Sequence, residues 1–340
     1  RPFVDLTESN PRRAGFAYHD DLLHGLADAR ALRYEPQPFG LLSAREAIAD
    51  DFARRGAQVN PAHVVLTAST SEAYGWLFKL LCNPGDQVLV PRPSYPLFEH
   101  LTRLDAVEAV PYDLEYHVRW EVDVGSVAPA VTPRTRALLV VSPNNPTGSY
   151  LTRHELDRLA AICAERDLAL VADEVFVDYA LDAPGDVVTD VALQANALAF
   201  TLGGLSKSPG LPQVELGWII VGGPPVGCDR ALGALELIAD SYLSVSTPVQ
   251  VAAADLLARG SAIREAILQR VRVNLAGLRE LARSFPGTTV LACEGGWYAV
   301  IRVPSTRAEE DLVLALLDRE RILVHPGYFF DFPREAYLVT

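Results

Sequence analysis

Methionine is absent from all 340 residues, position 1 included. A natural chain of this length carries several, so residues are expected to be missing, the start among them, and motif spacings are read with an allowance of one residue. No run of roughly 18 apolar residues occurs, which argues against a membrane-spanning helix. The first 30 positions hold no basic segment followed by an apolar one, so no secretory leader is expected. Cysteine is scarce: Cys82, Cys163, Cys228 and Cys293 form no CxxC pair, and a chain this large needs no disulfide staples. A reducing, cytoplasmic setting is expected. The seven histidines make no HExxH or similar spacing, so no metal is expected, and no GxSxG elbow is present. Positive charge is also in deficit. Lys plus Arg total 30 against 43 Asp plus Glu, a net charge of −13, which on average repels nucleic acid and anionic lipid.

What the chain does contain is core. Hydrophobic residues make up 49% and charged residues 21%, the composition of a soluble globular protein, and the length calls for more than one domain. Apolar spacing through Ala44, Ala47, Ile48 and Phe52 predicts a helix from about Ser43 to Arg55, stopped by Gly56. Short apolar runs then recur with helical stretches between them: Val64 to Thr67, Gln87 to Val90, Ala137 to Ser142, Leu168 to Ala172, Leu198 to Leu202 and Leu216 to Val221. Hydrophobic without alternation, these suit strands covered on both faces. The alternation predicts an α/β fold with a mostly parallel sheet flanked by helices. From Asp229 to about Arg283 the pattern is continuously helical. A strand over Trp297 to Val303 and a helix over Glu309 to Leu317 predict a smaller α+β domain. No internal repeat or low-complexity segment occurs.

Four local signals follow predicted strands in order. Thr67 to Ala73 brings Ser69, Thr70 and Ser71 to the start of a helix, where backbone N–H groups and hydroxyls suit a phosphate; an ordinary N-cap reads the same way. Ser142 to Gly148 (SPNNPTG) fixes a turn at a strand's C-terminal end and offers Asn145 as a donor, although such a turn can be purely structural. Asp173 ends a buried strand and needs a partner there, unless it is a cap or an exposed turn acid. Lys207 follows Gly203, Gly204, Leu205 and Ser206; in a low dielectric its amine can lose its proton and attack an aldehyde, whereas most lysines are solvated surface charges. A phosphate site, a neutral donor, an acid and an amine together match what pyridoxal phosphate requires.

With SPNNPTG at Ser142 to Gly148, ADEVF at Ala172 to Phe176 and GLSKSPGLPQVELGW at Gly204 to Trp218, the chain resembles the fold-type I pyridoxal-phosphate enzymes of the class I/II aminotransferase family, from about Tyr34 into the smaller domain. The resemblance implies a division into residues 1–40 (an N-terminal arm and part of the small domain), 41–235 (the large cofactor-binding domain) and 236–340 (a connecting helix and the small domain), ending short of the family's final helix. It implies an aminotransferase that moves an amino group between an L-α-amino acid and a 2-oxo acid by a ping-pong route, with Lys207 forming the Schiff base. Asp173 would pair with the pyridinium nitrogen and Asn145 with O3′. Tyr95 would stack on the ring, with Phe176 and Ser206 lining the cofactor. Ser69, Thr70 and Ser71 would hold the phosphate, joined by Tyr34 from the partner subunit of a homodimer. The same residues would serve β-elimination (a carbon–sulfur lyase), decarboxylation, or a decayed protein that binds without turnover.

Four positions depart from the family pattern. Phe176 replaces a tyrosine and Gly204 a serine, and Glu215 stands where a basic residue meets the phosphate. No arginine for the substrate α-carboxylate occurs in the strand expected at Tyr337 to Thr340, and Arg334 nearby reads as a surface charge. Trp297, Tyr298, Tyr328, Phe329 and Phe330 are read as pocket lining or core.

Overall fold

The computed structural model describes residues 2–334 and 336–340. In chain order the elements are β1 (Val4–Asp5), α1 (Leu42–Arg54), β2 (Val64–Thr67), α2 (Thr70–Leu81), β3 (Gln87–Arg92), α3 (Leu97–Leu104), β4 (Glu108–Tyr116) and β5 (Trp120–Val122). They continue with α4 (Val124–Ala130), β6 (Thr135–Val141), α5 (Arg153–Arg166), β7 (Ala169–Asp173), β8 (Ala199–Gly204), β9 (Gly217–Gly222), α6 (Pro225–Tyr242) and α7 (Thr247–Ala282). The last are β10 (Thr289–Val290), β11 (Val300–Arg302), α8 (Glu309–Ala315), β12 (Ile322–Leu323), β13 (His325–Pro326) and β14 (Tyr337–Val339).

Eight strands form one sheet in the order β2-β9-β8-β7-β6-β3-β4-β5. From β8 to β4 neighbouring strands run parallel, while β9 is antiparallel to both β2 and β8. The predicted mostly parallel sheet flanked by helices is therefore the observed one. The apolar runs lack alternation because both faces are covered. Leu138, Val140, Leu170 and Ala172 pack on Leu156, Leu159 and Cys163 of α5, and their neighbours Ala137, Leu139, Ala169 and Val171 pack on Ala73 and Leu77 of α2 and Leu235 of α6. Strands β4 and β5 were not foreseen, because β4 lies towards the sheet edge and alternates polar with apolar residues.

The continuous helix expected from Asp229 to Arg283 is two helices. Leu243 ends α6 in the left-handed region at φ 46°, and Ser246 starts α7 with Pro248 in its first turn. Pro248 can open a helix but cannot sit inside one without loss of a backbone bond. Helix α6 lies on the large sheet, whereas α7 packs along α1. A four-stranded sheet, β10-β11-β14-β13, makes the smaller layer. Among the described residues no helix is long and apolar enough to cross a membrane, and no cluster of three His, Cys, Asp or Glu could hold a metal.

Because β9 runs against both neighbours, β2 points the same way as β8. The C-terminal ends of β2, β3, β6, β7 and β8 therefore share one sheet edge, where open α/β sheets bind ligands. Gly217 begins β9 at that edge, paired with Thr67 on one side and Gly204 on the other. A Cβ on it would lie 2.9 Å from both the Ser69 carbonyl carbon and Thr67 Oγ1 and 3.1 Å from Thr70 N. We therefore expect Gly217→Val to cost about 1–3 kcal/mol by forcing this turn outward, seen as a thermal midpoint several degrees lower. An unchanged midpoint would mean that the turn yields freely.

Candidate active site

Apart from Tyr34, each predicted site residue leaves the sheet at that shared edge or close to it. Strand β7 delivers Asp173 half-buried at its C-terminal end, its Oδ1 accepting from the Val175 amide at 3.2 Å and its Oδ2 from the Tyr74 hydroxyl at 3.0 Å. The adjacent Glu174 points the other way and accepts the Asp190 and Val191 amides at 2.8 and 2.9 Å, so only one of the two acids faces the site. The turn after β8 presents Ser206 and Lys207, both half-buried. Lys207 Nζ lies 5.8 Å from the Phe176 ring centre and 5.5 Å from that of Trp297. Burial lowers the Lys207 amine below the usual lysine range, opposed only by the charge of Asp173. Burial likewise raises the Asp173 carboxyl, opposed by the Val175 amide, the Tyr74 hydroxyl and Lys207. The two groups thus feel each other's charge and are both pushed by burial towards neutrality.

The SPNNPTG turn is held by its first asparagine. Asn144 Nδ2 donates to Pro93 O at 3.1 Å and Thr147 Oγ1 at 2.9 Å, and Ser94 Oγ donates to Asn144 Oδ1 at 3.0 Å. Asn145 is 6% exposed, with a buried Oδ1 that has no partner among the described residues. Tyr95 stands 44% exposed after β3 with its ring edge-on to Phe98, and Asp173 contributes to raising its hydroxyl after burial does. Ser69 caps α2 by accepting the Glu72 amide at 3.1 Å, which leaves the first-turn amides of Thr70 and Ser71 without intrahelical acceptors. Phe176 is buried and meets Trp297 and Tyr298 edge to face at 5.2 and 6.1 Å. Of the five aromatics left open between pocket and core, Trp297 and Tyr298 form this wall, Tyr328 and Phe329 are about half exposed, and Phe330 is core.

Tyr34 is not part of this group within the chain. It is 77% exposed on the segment before Gly40 and lines a cleft with Trp76 and Gln250. Glu215 is also exposed, in the left-handed region at φ 54°. At Gly204 a Cβ would lie 3.1 Å from Leu216 O and 3.3 Å from Gly217 Cα, so a serine there would crowd the neighbouring backbone. The strand expected near the C-terminus is β14, where Leu338 is buried among Val313 and Val324, and Arg334 lies exposed in the preceding turn.

Nothing in the residue pattern marks what stands behind Lys207. Tyr179, fully buried, directs its hydroxyl at the carbonyls of Lys207 and Ser208 at 2.8 and 2.7 Å. Ser208 donates to Asp178, which also receives Arg264 Nη1 at 3.1 Å and pairs with Arg54. Burial alone would raise the Asp178 carboxyl, but Arg264, Arg55, Ser208 and Arg54 outweigh it and hold it at about 2. A second clamp joins the hairpin of β4 and β5 to the segment before Trp297. Arg119 binds Glu294 and donates to Tyr150 O at 2.7 Å, and the Tyr150 amide donates to Glu294 at 2.8 Å.

The aminotransferase class I and II family model matches residues 8–337. The chain belongs to that family. This family member is 28% identical to the glutamate-pyruvate aminotransferase AlaA of Escherichia coli strain K12 over 97% of its own length and 83% of the relative's. It is 29% identical to the alanine aminotransferase of Mycobacterium tuberculosis strain H37Rv, over 98% of the chain and 80% of the relative. The crystal structure of an aminotransferase from Escherichia coli superposes with a TM-score of 0.85 at 27% identity, covering 100% of this chain and 86% of that one.

The Asp178 cluster generates a pH prediction for this aminotransferase. A carboxyl held at about 2 when folded and near 3.9 when unfolded contributes about 2 kcal/mol above pH 4, lost as pH falls towards 2. Asp178→Asn should therefore melt below the wild type at pH 7, with the gap closing on acidification between pH 4 and pH 2. A gap that stays constant over that range would show that the carboxylate is not what stabilises the turn.

Proposed function

We propose that this aminotransferase works with pyridoxal phosphate and passes an amino group from an L-α-amino acid to a 2-oxo acid in two half-reactions. The observation that carries the cofactor reading is the nearness of Lys207 and Asp173 at one sheet edge, each acted on by the other's charge, beside the unpartnered Asn145 Oδ1 and the open first turn of α2. The residues present fit the cofactor: Ser69, Thr70 and Ser71 for its phosphate, Asp173 for its ring nitrogen, Asn145 for O3′, Tyr95 and Phe176 for the ring faces, Lys207 with Ser206 before it for the aldehyde. The group when bound supplies an electron-withdrawing ring and an aldehyde carbon. The chain supplies the rest. Lys207, lowered by burial, is the amine that binds the aldehyde and the base that carries the proton taken from the substrate's α-carbon. Asp173 holds a proton on the ring nitrogen, and the aromatic wall of Phe176, Trp297 and Tyr298 excludes water.

Pyruvate is the proposed acceptor, a reading that rests on the names of the relatives. The α-carboxylate has no arginine from β14, so its holder is not among the residues the resemblance supplies. We read residues 41–235 as the cofactor-binding domain, with residues 1–40 and 236–340 contributing an N-terminal arm, the connecting helix and the small domain. We also read the protein as a cytoplasmic homodimer. The exposed Leu32 and Tyr34 support a covered arm, and four free cysteines suit a reducing compartment.

The test uses purified protein loaded with pyridoxal phosphate and an L-amino acid with no acceptor present. One equivalent of the cofactor's amine form should accumulate, and pyruvate should reverse it. Lys207→Ala should slow the first half-reaction at least 10²- to 10⁴-fold. Continuous release of pyruvate and ammonia from the amino acid alone would replace transfer with elimination. An unchanged rate in Lys207→Ala would overturn the assignment of the amine.

A further inference from the structure

We propose that Tyr74 is the positioning residue for Asp173: its hydroxyl fixes the carboxylate's direction and keeps it available as an anion to the ring nitrogen of the cofactor. The inference rests on the pyridoxal-phosphate reading above. Tyr74 lies on α2 four residues after Thr70, hence on the same helix face. The helix whose first turn suits a phosphate thus carries, one turn further on, the phenol that reaches the acid.

The contact is enclosed. Tyr74 is 3% exposed, its ring edge-on to Phe98 at 5.4 Å and tilted against Phe78 at 6.0 Å. Asp173 Oδ2 at 3.0 Å is the partner of its hydroxyl. Phe98 also meets Tyr95 at 6.5 Å, so one aromatic run ties the acid to the ring proposed to cover the cofactor. A phenylalanine would fill the same space, so packing does not call for the hydroxyl. The chemistry of the acid does. Burial disfavours the Asp173 anion, and the groups that oppose this are the Val175 amide, Tyr74 from α2 and Lys207 from the turn after β8. Tyr95 faces the acid from the turn after β3, and Tyr112 of β4 faces Tyr74. The Tyr74 phenol itself is pushed well up by burial and then by Asp173, so it remains a neutral donor. Without it, a buried carboxylate oxygen loses its hydrogen bond and Asp173 shifts towards the protonated form, which cannot pair with a cation.

The experiment is a double-mutant cycle on cofactor affinity. Apoprotein of the wild type, Tyr74→Phe, Asp173→Asn and the double variant is titrated with pyridoxal phosphate from pH 5 to 8.5, with thermal unfolding as the check on folding. In the wild type, binding is lost as pH falls through the carboxyl's folded pKa. Tyr74→Phe should weaken binding about 10-fold, as expected for loss of a hydrogen bond to a charged group, and move that acid limb to higher pH. In the Asp173→Asn background the same change should cost less than about twofold. An equal penalty in both backgrounds, or no penalty in either, overturns the proposal. Site-specific 3-fluorotyrosine at position 74 keeps the ring and donates more strongly, so it decides the matter if Tyr74→Phe does not fold. The acid limb must then move to lower pH, and a limb that stays or rises overturns the proposal. A wild-type protein that takes up no cofactor overturns the cofactor reading and this inference with it. Uptake without coupling overturns the role of Tyr74 alone.

Discussion

The site depends on an ammonium and a carboxylate at the end of the same sheet, each partly withdrawn from water and each acted on by the other's opposite charge. Burial disfavours the charged form of both Lys207 and Asp173. A chain selected for stability alone would place neither group there. Their cost is offset by the sheet, whose two covered faces leave little freedom in where β7 and β8 end. Strand position fixes the separation of the two groups, and the separation fixes how far each is driven towards neutrality.

Around that pair the polypeptide uses hydrogen bonds to hold backbone rather than to fill the pocket. Asn144 binds its own turn and the Pro93 carbonyl, while Asn145 Oδ1 is left without a partner among the described residues. Tyr179 and the Asp178–Ser208–Arg264 cluster hold the carbonyl side of the Lys207 turn. Supporting groups are saturated and working groups are left open, the arrangement expected where a rigid frame must present unsatisfied chemistry to a ligand.

Much of this was legible in the sequence, and for physical reasons. Strands covered on both faces write continuous apolar runs, so β2, β3, β6, β7, β8 and β9 were found within a residue or two. The residues at their ends are chemically odd for buried positions, which made Asp173 and Lys207 visible. Half-exposed β4 left a weaker pattern and was missed. The break at Leu243 was overlooked because the apolar spacing runs on across it. Tyr74, Tyr179 and Arg264 were illegible for another reason. An aromatic on a helix face looks like core, a buried arginine looks like any other arginine, and their roles come from partners that only the fold brings near.

The clamp of Arg119, Glu294 and Tyr150 reaches beyond local order. It pins the segment carrying Trp297 and Tyr298 to the large sheet, close to where the smaller layer begins. A body fastened near one end swings about that fastening. Any displacement of the smaller layer must therefore carry α8 and the far strands further than the aromatic wall, whose segment is held at Glu294.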